Sequence, residues 1–375
     1  MTLHDTYKKL ENDCFNPLTV DPNPSLDLNH FSLILRLENT DPDASNRNDF
    51  VARLAHRPMR WDNRAMMTTA FITHSACALH DMGAGHPESP QRLSAIKDRL
   101  IAAGLDGLLQ HYEAPRVKRE QLLRVHSESY VDEIDAQAPR EGLVQLDPDT
   151  SMNPHSLEAA RRAAGAVVLG VDLVMTGKLQ NAFCSVRPPG HHALSNRSMG
   201  FCIFNNVAVA AAHARAEYGV KRVAILDFDV HHGNGTEEIF ANEPDVMLCS
   251  TFQHPFYPYA GADTVSDHII NSPLPAISGG EEFRAAVLAD WIPNVSRFQP
   301  DLILVSAGFD AHKDDPLAYL RLVEDDYRWV TAEIVKLANE FSKGRIVSTL
   351  EGGYNLDALG RSVTEHIRVL LSAKN

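Results

Sequence analysis

The sequence predicts an α/β protein built on a central, mostly parallel β-sheet flanked by helices on both faces. Three observations predict it. From about residue 68 onward, apolar β-branched runs alternate with helix-period segments long enough to serve as crossovers. The polar clusters of the chain stand directly after those runs, where open α/β sheets place their ligand crevice. Finally, 375 residues of which 44% are hydrophobic suffice for one large core, so a single main domain is expected.

Taken in order, the first sixty-odd residues carry scattered Asn, Asp, Pro and Arg without helical or strand period, so residues 1–66 are expected to be a poorly ordered extension. Met66 and Met67 stand immediately before TTAFITHSA, where strand-like patterning begins, and the natural start is expected there, with residues 67–375 as the catalytic domain. Strands are predicted at 182–186, 222–229, 246–251, 301–307 and 345–350. Helices fit 155–176, 205–218, 281–298, 324–342 and 357–372. No internal repeat or low-complexity tract interrupts this alternation.

Charge and composition exclude several classes of function. A net charge of −14 argues against a nucleic-acid surface, which needs a basic face to displace counterions. The absence of a stretch of eighteen apolar residues, and of signal-peptide order at the start, predicts a cytoplasmic protein without a membrane partner. The cysteines, at 14, 77, 184, 202 and 249, are odd in number and show no CxxC spacing, which fits reduced thiols and argues against a cysteine-built zinc site. Metal ligands must then come from histidines and carboxylates.

Four strand ends carry such residues: RPPGHH, DVHHGNGT, GFDAHKDDP and EGGYN. In LDFDVHHGNGT, alternate residues of an extended chain point the same way, so Asp227, Asp229 and His231 can project together. Left uncompensated after an apolar strand, these groups would be expensive to bury. Asp310 follows another apolar strand and is expected to supply a third ligand beside Asp229 and His231. Two carboxylates and one imidazole leave a position open for water or substrate, the pattern of a catalytic zinc site. His191 and His192 suit proton transfer near neutral pH. Tyr354 follows two glycines that allow close approach, and its phenol can donate to a developing oxyanion.

Together, RPPGHH, MGFCIFNNVAVAA, DFDVHHGNGT, SAGFDAHKDDPLA and LEGGYN resemble the histone deacetylase superfamily, in the branch similar to class II enzymes and bacterial deacetylase-like amidohydrolases. The resemblance covers roughly residues 68–372. It implies the arginase/deacetylase fold, with Zn²⁺, or Fe²⁺ in vivo, on Asp229, His231 and Asp310. It pairs His191 with Asp227 and His192 with Asn234, where class I enzymes tend to carry Asp. It implies a structural K⁺ near Asp227, Asp229, His231 and Ser250. Gly200 and Phe201, with Phe256 or Tyr257, resemble the walls of a narrow acyl-lysine channel rimmed by Leu317, and Arg92 resembles an arginine of the internal acetate-release channel.

The implied reaction is hydrolysis of acyl-lysine, or of a small acylated amine, by metal-activated water. His192 would serve as general base and then acid, His191 as an electrostatic stabiliser and Tyr354 as an oxyanion donor. A binuclear arginase-like site would need the pattern DxHxD, but Gly233 takes its last position and His312 stands two after Asp310, so one metal is expected. Polyamine-selective class II relatives place Glu where Leu317 stands, which favours acyl-lysine over acetylpolyamine. Loss of catalysis is disfavoured because His191, His192 and Tyr354 are all present. A homo-oligomer stays open.

Overall fold

The computed structural model describes residues 69–373, so the expected extension at 1–66 lies outside the described residues. Its centre is an eight-stranded sheet in the order β2-β1-β5-β10-β9-β6-β7-β8. The strands are β1 (Thr69–Thr73), β2 (Gln110–Glu113), β5 (Asn181–Cys184), β6 (Val223–Asp227), β7 (Val246–Gln253), β8 (Ile269–Leu274), β9 (Leu302–Ala307) and β10 (Ile346–Leu350). All neighbours pair in parallel. Two-residue strands β3 (Val144–Gln145) and β4 (Ser151–Met152) form a separate antiparallel pair.

The inner strands β5, β10, β9, β6 and β7 are buried on both sides because they are apolar on both sides. Alternate residues of β6 show the division: Val223 and Ile225 belong to one core, Ala224 and Leu226 to the other. The first core is closed by the helices Ser156–Met175 and Asn206–Tyr218. The second is closed by Gln91–Ala102, Glu324–Phe341 and Leu356–Ser372. All but the last of these helices lie in crossovers that return the chain to start another parallel strand, whereas Leu356–Ser372 follows β10, the final strand. No helix among the described residues is long and apolar enough to cross a membrane.

The expected helix at 281–298 is three segments: Gly280–Ala286, a π-helical stretch Val287–Trp291, and Ile292–Phe298. Pro293 has no N–H to return to the carbonyl four residues earlier, which unsettles the α ladder at this point. Within the same stretch the side chain of Asn294 donates to the Asp290 carbonyl at 2.7 Å.

The strands whose ends carry the polar motifs, β5, β10, β9 and β6, are four consecutive neighbours in the sheet. Motifs as far apart as residues 187 and 354 are thereby laid side by side along one edge. The cysteines at 77, 184, 202 and 249 are buried and free, as their spacing predicted.

Candidate metal centre and active site

The strand β6 ends at Asp227, two residues earlier than the sequence indicated, so simple alternation along an extended chain does not gather Asp227, Asp229 and His231. Two tight turns do it instead. Asp227 Oδ1 accepts the Asp229 N–H at 3.1 Å, and Asp229 Oδ1 accepts the His231 N–H at 2.8 Å. Each aspartate uses one oxygen to fold the backbone two residues ahead and keeps the other for the site.

Asp229, His231 and Asp310 then converge, with one ligand atom from each within 4.8 Å of the others and all three residues buried. The carboxylates are aimed by backbone donors. Gly352 N–H donates to Asp229 Oδ2 at 2.8 Å, and Val230 N–H donates to Asp310 Oδ1 at 2.9 Å. Gly352 has no alternative: a Cβ there would lie 1.9 Å from Asp310 Oδ2.

This cluster fits a divalent cation. Asp310 Oδ2 is buried and accepts no hydrogen bond, although His231 Nδ1 lies 3.2 Å away. Burial and the neighbouring Asp229 charge push the Asp310 carboxyl up to about 7. Burial works against a charged His231, but Asp229 and Asp310 outweigh it and push the imidazole up to about 10. The buried Asp229 and Asp310 carboxylates are thus compensated by protons held on Asp310 and His231, the positive charge that a metal ion would supply instead. Among the described residues, this is the one cluster of metal-ligand type. His312 faces Glu324 at 3.4 Å and Asp314 at 3.6 Å, away from the triad, and gives it no fourth carboxylate or imidazole.

The two adjacent histidines after β5 stand beside this cluster, with ring centroids 4.0 Å apart and opposite surroundings. His191 Nδ1 lies 2.9 Å from Asp227 Oδ2. Burial lowers its pKa, but Asp227, Asp229 and Glu351 prevail and push it up to about 10, so His191 holds a proton at neutral pH. His192 Nδ1 lies 2.7 Å from Asn234 Oδ1. Burial, then the positive neighbours His191 and His231, hold it well below the ordinary imidazole range. The turn that presents both is shaped by Glu351, whose Oε2 accepts the N–H groups of Gly190 (2.6 Å) and His191 (3.2 Å).

A cavity of about 190 Å³ opens onto His192 and His231, lined also by Asp149, Gly200, Phe201, Phe256, Tyr257, Leu317 and Tyr354. Phe256 and Tyr257 both line it, so the two alternatives at this position are both wall residues. Phe201 meets Tyr354 edge-on at 5.9 Å, and Tyr257 meets His192 edge-on at 5.3 Å. Gly200 has φ +58°, and a Cβ there would lie 2.3 Å from the His192 ring, so this wall approaches the imidazole only with glycine. Burial and the negative charge of Asp310 hold the Tyr354 phenol well above its ordinary range, so it keeps its hydrogen.

Two expected residues stand back from the cavity. Arg92 lies behind Tyr354, its guanidinium carbon 5.0 Å from the ring centre, donating to Gly353 O (2.7 Å), Glu351 O and Glu88 Oε1 (3.1 Å). Ser250 pairs with Asp227 across the β6–β7 ladder, and its hydroxyl lies 3.2 Å from His232 Nδ1. Sequence reasoning missed three contributors. Asp149 lines the cavity and accepts the Gly200 N–H at 3.1 Å; Glu351 orders the histidine turn; Asp315 accepts the N–H groups of Leu317 (3.0 Å) and Tyr354 (2.7 Å). Glu351 and Asp315 were readable in principle, because both lie inside motifs already quoted.

A metal-fit triad, two imidazoles of opposite protonation and a protonated phenol at the end of a narrow cavity are equipment suited to a hydrolase of carbonyl compounds. The comparisons with known proteins define it further. The histone deacetylase domain family matches residues 86–370. A histone deacetylase-like amidohydrolase of Pseudomonas aeruginosa is 39% identical over 332 residues, 81% of this chain and 87% of that one. An uncharacterized protein of Synechocystis sp. is 41% identical over 309 residues, 80% of this chain and 99% of that one. The crystal structure of the HDA15 HD domain superposes with a TM-score of 0.77 at 36% identity, covering 82% of this chain and 88% of that one. The chain belongs to the histone deacetylase family, has its arginase/deacetylase fold, and is an enzyme acting on amides.

Proposed function

We propose that this enzyme is a zinc-dependent deacetylase that hydrolyses the amide of N-acetyl-lysine in a peptide or protein, releasing acetate and the free amine. One observation carries the reading: His191 and His192 touch, yet a carboxylate keeps one charged while burial keeps the other neutral. Paired groups whose pKa values are driven apart define an acid–base assignment.

Asp229, His231 and Asp310 would hold zinc, which when bound polarises the acyl carbonyl and acidifies water; Fe²⁺ suits the same ligands. His192 binds its own hydrogen at Nδ1, toward Asn234 Oδ1, leaving Nε2 as the basic nitrogen. That nitrogen takes the proton of the attacking water and returns it to the leaving amine. The charged His191 stabilises negative charge beside it, and the Tyr354 hydroxyl donates to the developing oxyanion. The aromatic walls exclude water around a thin aliphatic chain, and Leu317 offers its mouth no charge. Asp227, Asp229, His231 and Ser250 would surround a structural K⁺. We place the enzyme in the cytoplasm, with no nucleic-acid partner.

The alternative substrate is an acetylated polyamine, drawn by the acidity of the whole chain. Side-by-side kcat/KM on acetyl-lysine peptides and acetylated polyamines separates the two. The reading expects the peptides to be favoured; a preference for the polyamines reassigns the substrate.

A further inference from the structure

Phe256 joins the cavity to the surface. Its ring stacks against His231 at 5.8 Å and 23°, and it also meets the ring of Tyr319 edge-on at 5.8 Å and 78°. An aromatic path therefore runs from the metal-fit triad to the exterior, ending on a tyrosine that is 64% exposed. Tyr319 stands two residues beyond Leu317, which lines the cavity.

An exposed tyrosine on a loop is ordinarily mobile, but this one has its backbone fixed from both sides. Its N–H donates to Oε1 of the buried Gln253, at the end of β7, at 2.7 Å. Its carbonyl accepts the N–H of Ile277 at 2.9 Å, which brings in a second apolar residue, 71% exposed. Asp149 is the one carboxylate lining the cavity, and it accepts from Gly200 N–H and Thr150 Oγ1. The side of the mouth marked by Phe256, Leu317 and Tyr319 is apolar.

We propose that Tyr319 is a specificity-determining residue: a fixed aromatic platform outside the mouth for an aromatic or large apolar side chain flanking the acylated lysine of a peptide. The inference rests on the reading of the cavity as an acyl-lysine site. A rigid tyrosine loses little conformational freedom on contact, and an aromatic pair adds attraction beyond the area it buries. A small acylated amine has no side chain to place there.

The test uses the full chain and three substrates: acetyl-lysine methylamide, and two acetyl-lysine peptides differing only in a flanking Phe or Gly. The wild type is expected to favour the Phe peptide by about tenfold in kcat/KM, carried by KM. Tyr319→Ala is expected to erase that preference while leaving kcat on the methylamide unchanged, and Tyr319→Phe to retain it. A preference that survives Tyr319→Ala, or a wild type indifferent to the flanking residue, overturns the proposal. Failure of the wild type to hydrolyse any of the three overturns the acyl-lysine reading itself, a different result from hydrolysis without preference.

Discussion

Nδ1 of His192 faces an uncharged oxygen, that of Asn234, at 2.7 Å, whereas the adjoining His191 faces the carboxylate of Asp227 at 2.9 Å. The difference in partner accompanies the difference in protonation. Placing a carboxylate at 234 would add negative charge beside Nδ1 and raise the His192 pKa. A base must be unprotonated to act, so the acidic limb of kcat/KM against pH moves upward in Asn234→Asp, by about 1–3 units. An unmoved limb would remove His192 from the role of base.

Tyr354 is held by the Asp315 carboxylate through its backbone N–H at 2.7 Å and keeps its phenolic hydrogen. Tyr354→Phe is expected to lower kcat by about 10²–10³. Metal content should stay that of the wild type, because the phenol is not among the ligand set. Turnover near the wild-type rate would show that the oxyanion is stabilised elsewhere.

The mouth of the cavity is uncharged at Leu317, whose N–H is fixed by Asp315 Oδ1 at 3.0 Å. Leu317→Glu places a carboxylate there without altering that backbone bond. It is expected to raise kcat/KM on acetylspermidine and lower it on neutral acetyl-lysine peptides, by about tenfold in the ratio, the effect of one charge pair of modest strength. Equal change on both substrates would show that residue 317 does not discriminate.

Glu88 is fully buried between Arg187 and Arg92, with His80 at 3.4 Å. Burial would raise its pKa, but Arg187, His80 and Arg92 prevail and hold it well below the carboxylate range. Its contribution to stability is therefore complete above the unfolded value of about 4.3 and is lost as pH falls through the lower folded value. Glu88→Gln leaves two buried guanidinium groups without their carboxylate and is expected to cost about 3–5 kcal/mol at pH 7. Denaturant unfolding at pH 7 and in acid measures it, with a smaller difference between mutant and wild type in acid.

The central strands were legible because their apolar runs are long, and the site was legible because its residues are packed into short motifs after those runs. The elements that escaped lack one or the other signal. β2 is QHYE, an edge strand of alternating exposure without an apolar run, and β8 contains Pro273, which argues against a strand on propensity. The helix Gln91–Ala102 buries a charged residue, Arg92, on its inner face, so its apolar period is broken where it matters most. Asp149 could not be read locally, because the Gly200 N–H it accepts lies 51 residues away, and the same holds for the Arg187 partner of Glu88, 99 residues away. The path of the chain through Asp229 and His231 was misread as extended, since Asp side chains that fold their own backbone look in sequence like strand residues.

The central claim is that Asp229, His231 and Asp310 hold a single zinc on which amide hydrolysis depends. Metal content and acetyl-lysine peptide hydrolysis, measured on the same purified protein before chelation, after it and after return of zinc, test that claim most directly. One zinc per chain, loss of turnover on chelation and recovery at one equivalent are expected, with Asp310→Asn failing to recover. Two ions per chain, or undiminished turnover by the metal-free protein, would contradict it.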